Sequence, residues 1–99
     1  MSYRVRYTKA AREDLLRLYA FLLERDMQAA QRARDAISKN IEFLRESPFT
    51  CRKVLSENPF LREIVIPFGA AGYIALFEIE DSETVTILAI RHQREDDYY

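Results

Sequence analysis

Tyr3-Arg4-Val5-Arg6-Tyr7 alternates apolar rings and aliphatics with arginine at period two, which predicts a short strand over residues 3 to 7 with one buried face. The period then lengthens. Thr8 stands where a helix N-cap belongs, and Leu15, Leu18, Tyr19 and Leu22 recur at i, i+3, i+4 and i+7, predicting a helix to about Arg25. A second stripe, Leu16, Ala20 and Leu23, lies beside the first and implies that this helix touches two neighbours. Asp26 opens a second helix on which Ala30, Ala33, Ile37, Ile41 and Leu44 share a face, with Ala29 and Ala36 adding further small side chains. The connection is short enough to make the two helices antiparallel, and the alanines let them approach closely. Ser47-Pro48 ends this half of the chain.

From Pro48 to Pro59 the chain is polar and broken by turn signals, so it reads as a connecting loop. Three strands follow, over residues 60 to 66, 73 to 79 and 84 to 90, each rich in β-branched and aromatic side chains. Asp81-Ser82 marks the hairpin between the last two, and Gly69 and Gly72 allow a tight return between the first two. The order is β-α-α-β-β-β: an α+β domain spanning residues 1 to 99, with an antiparallel sheet packed against a two-helix hairpin. The place of the first strand in the sheet stays open.

Composition narrows the function classes. With 48% apolar residues, 12% aromatics and only two glycines, the chain has the balance of a packed domain. Cys51 has no cysteine to bridge with and no second Cys or His nearby, so no internal disulfide, zinc site or cofactor is expected. A reducing cytoplasm fits that usage. No apolar run reaches the length of a membrane span. Charge is unevenly divided: residues 1 to 47 carry ten Lys/Arg against seven Asp/Glu (+3), and residues 48 to 99 carry five against nine (−4). Without a strongly basic block there is little to neutralise phosphate, so direct specific nucleic-acid binding is not expected.

Candidate chemistry gathers after the last strand, in Arg91-His92-Gln93-Arg94-Glu95. His92 is the sole histidine. A metal-free ribonuclease needs an acid, a base and cations for the developing phosphorane, and His92, Glu63, Arg62, Arg91, Arg94 and a tyrosine could supply them. The plainer reading, adopted here, is that Arg91 and Arg94 pair with Glu63, Glu95 or Asp96 while His92 is a partly exposed hydrogen-bonding residue. Arg52 and Lys53 beside Cys51 could lower its pKa, yet an incidental thiol is the better reading. More telling are Phe49, Phe60, Phe68, Tyr98 and Tyr99, rings in loops or at the end that so small a body has difficulty hiding. They suggest a groove covered by a partner.

Three blocks, Tyr7-Thr8-Lys9-Ala10-Ala11-Arg12-Glu13-Asp14-Leu15, Leu61-Arg62-Glu63-Ile64 and Val85 through Glu95, together with the element order, resemble the RelE/ParE toxin superfamily and its ParE branch. The resemblance spans nearly the whole chain. It implies the toxin of a type II toxin-antitoxin pair, often called a plasmid stabilisation protein, silenced in a hetero-oligomer with a ParD-like antitoxin. ParE-branch members are known as DNA gyrase inhibitors that do no chemistry; the RelE branch cleaves messenger RNA on the ribosome. RelE-type cleavage uses an arginine on the strand corresponding to residues 73 to 79, and here no Lys or Arg occurs from Pro67 to Glu80. The expectation is therefore a binding protein without catalytic residues, contacting its antitoxin or target through Arg62, Arg91, His92, Arg94, Tyr98 and Tyr99. Two alternatives remain: a RelE-like endoribonuclease, and a family member that only binds its antitoxin.

Overall fold

The computed structural model describes residues 2–94, so Tyr98 and Tyr99, together with Glu95 and Asp96, lie outside the described residues. Strand β1 (Arg4–Tyr7) leads into helices α1 (Lys9–Leu23) and α2 (Met27–Phe43), then a short 3-10 turn (Pro48–Thr50). Four strands follow: β2 (Arg52–Leu55), β3 (Asn58–Phe68), β4 (Ala71–Ile79) and β5 (Thr84–His92). The sheet order is β1-β5-β4-β3-β2. The expected α+β architecture is present, and the late strands form the expected antiparallel meander. β1 joins β5 in parallel, which makes the five-stranded sheet mixed.

Both helix starts follow from their caps. The Thr8 hydroxyl accepts a hydrogen bond from the Ala11 amide at 3.0 Å, and the Asp26 carboxylate accepts from the amides of Gln28 and Ala29. Each satisfies amides that have no partner within their helix. α1 then packs on β5 and α2 on β3. Between helices and sheet lie Leu18, Ile37, Ile41 and Leu44 from above, and Ile66, Phe77, Val85, Ile87 and Ile90 from below.

Three expectations are corrected. The stretch from Pro48 to Pro59 is not merely a loop, because Arg52–Leu55 pairs with β3. All four residues of β2 are exposed, so this edge strand has no hydrophobic alternation to betray it; the pairing of Arg52 opposite Glu63 holds it instead. β3 is longer than residues 60 to 66 because its ladder with β4 continues to Phe68. Pro67 is tolerated there because β2 has already ended at the level of Glu63, so only one side of β3 is paired. Finally, α1 does touch two neighbours, β5 and α2, but not through the stripe of Leu16, Ala20 and Leu23, which is exposed.

One extra residue in β5 sets the geometry of the functional end. Leu76 pairs with Ala89 and Phe77 with Ile87, so Leu88 is a bulge without a partner on β4. Before it, Val85 and Ile87 face the helices; after it, the inward positions are Ile90 and His92. α1 clasps the bulge. The Thr8 hydroxyl donates to the Leu88 carbonyl at 3.2 Å, and the Asp14 carboxylate accepts from the Ile90 amide at 2.9 Å.

Gly69 and Gly72 have separate tasks. Gly69 takes φ +61 in the β3–β4 turn, a region that disfavours side chains. Gly72 lies within the ladder, where an added Cβ would stand 2.2 Å from the Ile66 carbonyl oxygen.

These contacts generate three predictions. Gly72→Ala should cost about 2 kcal/mol or more of unfolding free energy by forcing backbone apart, against about 1 kcal/mol for Gly69→Ala, measured by urea denaturation. Asp14→Ala strands the Ile90 amide and should cost about 1–3 kcal/mol, with Asp14→Asn restoring most of it and hydrogen exchange at Ile90 following the same order. The third concerns pH. Burial raises the phenol pKa of Tyr7 and of Tyr73, with Arg45 opposing and Glu42 reinforcing the shift at Tyr7. Above the ordinary tyrosine value of 10.0 the unfolded chain sheds these protons first, so stability should fall as pH rises through that point until the folded phenols ionise too. Tyr7→Phe should flatten this alkaline loss in a series of denaturation curves.

Candidate functional site

α1 separates two clefts. One, of about 770 Å³, opens between its C-terminal half, the β3–β4 turn and the end of β5, where Phe21, Phe68, Tyr73 and His92 meet Arg17 and Arg94. The other, of about 460 Å³, runs between α1 and α2 past Leu15, Tyr19 and Ile37, with Arg12 and Arg34 on its walls. Leu18, Leu22 and Tyr73 line both. Between them α1 turns outward the stripe of Leu16, Ala20 and Leu23, an apolar ridge on which Leu16 is 69% and Leu23 42% exposed, while Phe21, 55% exposed, projects on the side of the first cleft.

The side chains flanking the ridge are held in place. The Arg25 guanidinium sits 3.8 Å from the centroid of the Phe21 ring and donates to the Phe21 carbonyl at 3.0 Å. Arg34 lies 5.9 Å from the Tyr19 ring, and Arg17 pairs with Asp14 at 3.7 Å. The surface is thus apolar along its crest and cationic along its flanks, suited to an amphipathic segment carrying carboxylates.

His92 points into the first cleft. Its ring meets Tyr73 edge-on, centroids 5.5 Å apart, and its Nδ1 accepts from the Arg94 amide at 3.1 Å. Arg94 lines the same cleft. The remaining candidates lie elsewhere. Arg91 pairs with Ile74 while His92 pairs with Tyr73, so strand alternation sends Arg91 to the opposite sheet face. Glu63 is opposite Leu76 and shares that outer face, where Arg52 binds it through two nitrogens at 2.6 and 2.7 Å. Arg62 stands at the far end of the sheet, donating to the carbonyls of Pro59, Phe49 and Cys51 at 2.7–2.8 Å. The candidate acid-base pair, His92 and Glu63, is therefore divided by the sheet.

Cys51 is half-buried, and that burial pushes its thiol above the usual range despite the opposing charge of Arg62. Arg52 and Lys53 do not activate it. Among the described residues no group of three or more His, Cys, Asp or Glu could hold a metal, and no helix is long and apolar enough to cross a membrane.

Sequence reasoning found the cleft through His92 and Arg94 but missed the ridge and its arginines, Arg12, Arg17 and Arg34. The stripe of Leu16, Ala20 and Leu23 was the available signal. Its meaning depended on whether the chain had a second body to cover it.

The chain matches the sequence profile described as the ParE toxin of the type II toxin-antitoxin system parDE, over residues 5–97. It is 34% identical over 92 residues to Toxin RelE1 of Caulobacter vibrioides, covering 93% of this chain and 95% of that one. Two solved structures share the fold. A chain of the chromosomal ParDE system from P. aeruginosa superposes with a TM-score of 0.72 at 20% identity, covering 92% of this chain and 96% of its own. A chain of the RelBE2 toxin-antitoxin complex from Mycobacterium tuberculosis gives 0.60 at 26% identity, with 94% and 100% covered. Profile, relative and fold agree: the chain belongs to the ParE toxin family of the RelE/ParE superfamily, as the toxin of a type II toxin-antitoxin system.

Proposed function

We propose that this toxin inhibits DNA gyrase in the cytoplasm by binding it, and that a ParD-like antitoxin silences it by covering the α1 surface in a hetero-oligomer. The observation that carries the antitoxin's seat is the exposed stripe of Leu16, Ala20 and Leu23 on α1, with Phe21 beside it toward the first cleft. Burying side chains of this size yields about 1.5–3 kcal/mol each, enough for a few of them to anchor a helix. Arg12, Arg17, Arg34 and Arg94 would meet carboxylates of the covering segment. The solved neighbours come from ParDE and RelBE2 toxin-antitoxin systems, which supports a partner of this kind.

Action by binding, without catalysis, is favoured by the separation of His92 from Glu63 across the sheet and by the absence of Lys and Arg from Pro67 to Glu80. Cleaving RNA would require cations at the reacting phosphate together with an acid and a base on one face. A second reading, a ribosome-dependent endoribonuclease, rests on the meeting of His92, Arg94, Arg17 and Tyr73 in one cleft and on the RelE name of the Caulobacter relative.

One set of assays separates these readings. Purified toxin should abolish supercoiling by gyrase, the antitoxin should restore it, and Leu16→Glu should weaken antitoxin binding by about 2 kcal/mol, roughly 30-fold, without changing the fold. His92→Ala should leave gyrase inhibition intact. Undisturbed supercoiling with cleaved messenger on the ribosome, lost in His92→Ala, would replace the gyrase reading with the ribonuclease one.

A further inference from the structure

The opposite end of the sheet carries a second exposed aromatic feature, built from different residues. Phe49 and Phe60 meet edge to face with centroids 6.1 Å apart, and each ring is 48% exposed. They have not simply been left over at a loose corner. Arg62 lies 5.3 Å from the Phe49 ring while its donors tie the carbonyls of Phe49, Cys51 and Pro59, fixing the segments on which both rings stand. Between the rings, Tyr3, Ile79 and the β4–β5 turn lies a recess of about 370 Å³. Its rim is acidic. Glu80, Asp81 and Ser82 line it, the Glu80 carboxylate turning to accept from the Thr86 hydroxyl, and Glu78 and Glu83 flank them in sequence.

The Asp81 carboxylate accepts from the Glu83 amide at 2.8 Å, and that hydrogen bond is the main reason its pKa lies below the ordinary value, so Asp81 is charged at neutral pH. Arg62 is engaged on the three carbonyls, and Arg4, close enough to Asp81 to help lower its pKa, donates to the Thr84 hydroxyl at 3.2 Å. Tyr73, in the α1 clefts, and Ile79, in this recess, stand six positions apart on β4, or about 20 Å of strand.

We propose that the Phe49–Phe60 pole is a docking surface for a basic, apolar segment of a protein partner, with a Lys or Arg side chain against the Phe60 ring and beside Asp81. Charge selects the occupant. The α1 clefts are flanked by arginines and suit carboxylates, whereas this recess is rimmed by carboxylates and repels both acidic segments and nucleic-acid phosphates. Exposed phenyl rings beside carboxylates give a guanidinium or ammonium both a face and a counter-ion. The two surfaces therefore accept opposite charge at opposite ends, so one partner can hold the α1 ridge while another holds this pole. The inference is independent of whether the target is gyrase.

Two synthetic peptides of equal length and apolar content, one carrying four arginines and the other four glutamates, titrated into the isotope-labelled full chain provide the test. The arginine peptide should shift the amide resonances of Phe49, Phe60 and Ile79 to Ser82, with added salt weakening the effect. Phe60→Ala should reduce its affinity about tenfold. Asp81→Asn, which keeps an acceptor for the Glu83 amide, should reduce it about threefold with the fold unchanged. Shifts confined to the α1 clefts, equal binding of the glutamate peptide at this pole, or an affinity unmoved by Asp81→Asn would overturn the proposal.

Discussion

The arrangement of this molecule depends on how α1 grips the bulge in β5. β1 pairs with only four residues of β5, Thr84 to Ile87, and beyond them that side of β5 has no strand beside it. Thr8 and Asp14 take over the task with side chains, receiving the Ile90 amide and supplying a donor to the Leu88 carbonyl. The same threonine caps the helix, so one residue both starts α1 and ties it to the sheet. With its N-terminal turns fixed, α1 buries its inner side against β5 and α2, and the outward stripe is left as the apolar ridge. The bulge also decides which of Arg91 and His92 faces the helices. Helix position, ridge and histidine are thus consequences of one local irregularity.

A second organising feature is the division of arginines between structure and surface. Arg62 and Arg52 are consumed in holding the β2–β3 hairpin and the turn before it, the first through backbone carbonyls and the second through Glu63. Arg12, Arg17 and Arg34 instead line the clefts around α1, Arg12 donating to the Tyr7 carbonyl and Arg17 pairing with Asp14 while their charge still shapes what can bind. Identical side chains in one small domain therefore serve different ends, and their tertiary surroundings make the difference. An Arg that donates to three carbonyls substitutes for missing backbone partners; one on an exposed helix flank sets a local potential.

Local chemistry made much of the fold readable in advance. The period-two alternation of residues 3 to 7, the caps Thr8 and Asp26, the alanine-lined face of α2 and the β-branched runs each reflect interactions within a few residues. What could not be read depended on distant partners. β2 has four exposed residues and exists because β3 lies beside it. The faces of Arg91 and His92 reverse with a single unpaired residue, Leu88, that looks like any other strand residue. The outward stripe of α1 is indistinguishable by spacing from a stripe buried against a third layer. Membership of the toxin family was legible from three sequence blocks, whereas the candidate site was legible only in its His92 and Arg94 corner.

The sheet's two edge strands carry a further consequence. Each is only four residues long, and each bears paired cations: Arg4 and Arg6 on β1, Arg52 and Lys53 on β2. Short, positively charged borders are poor templates for adding another chain, since like charges from a second copy would be brought within strand spacing. Guarded borders block the most direct route from a molecule with an exposed hydrophobic crest to fibrils.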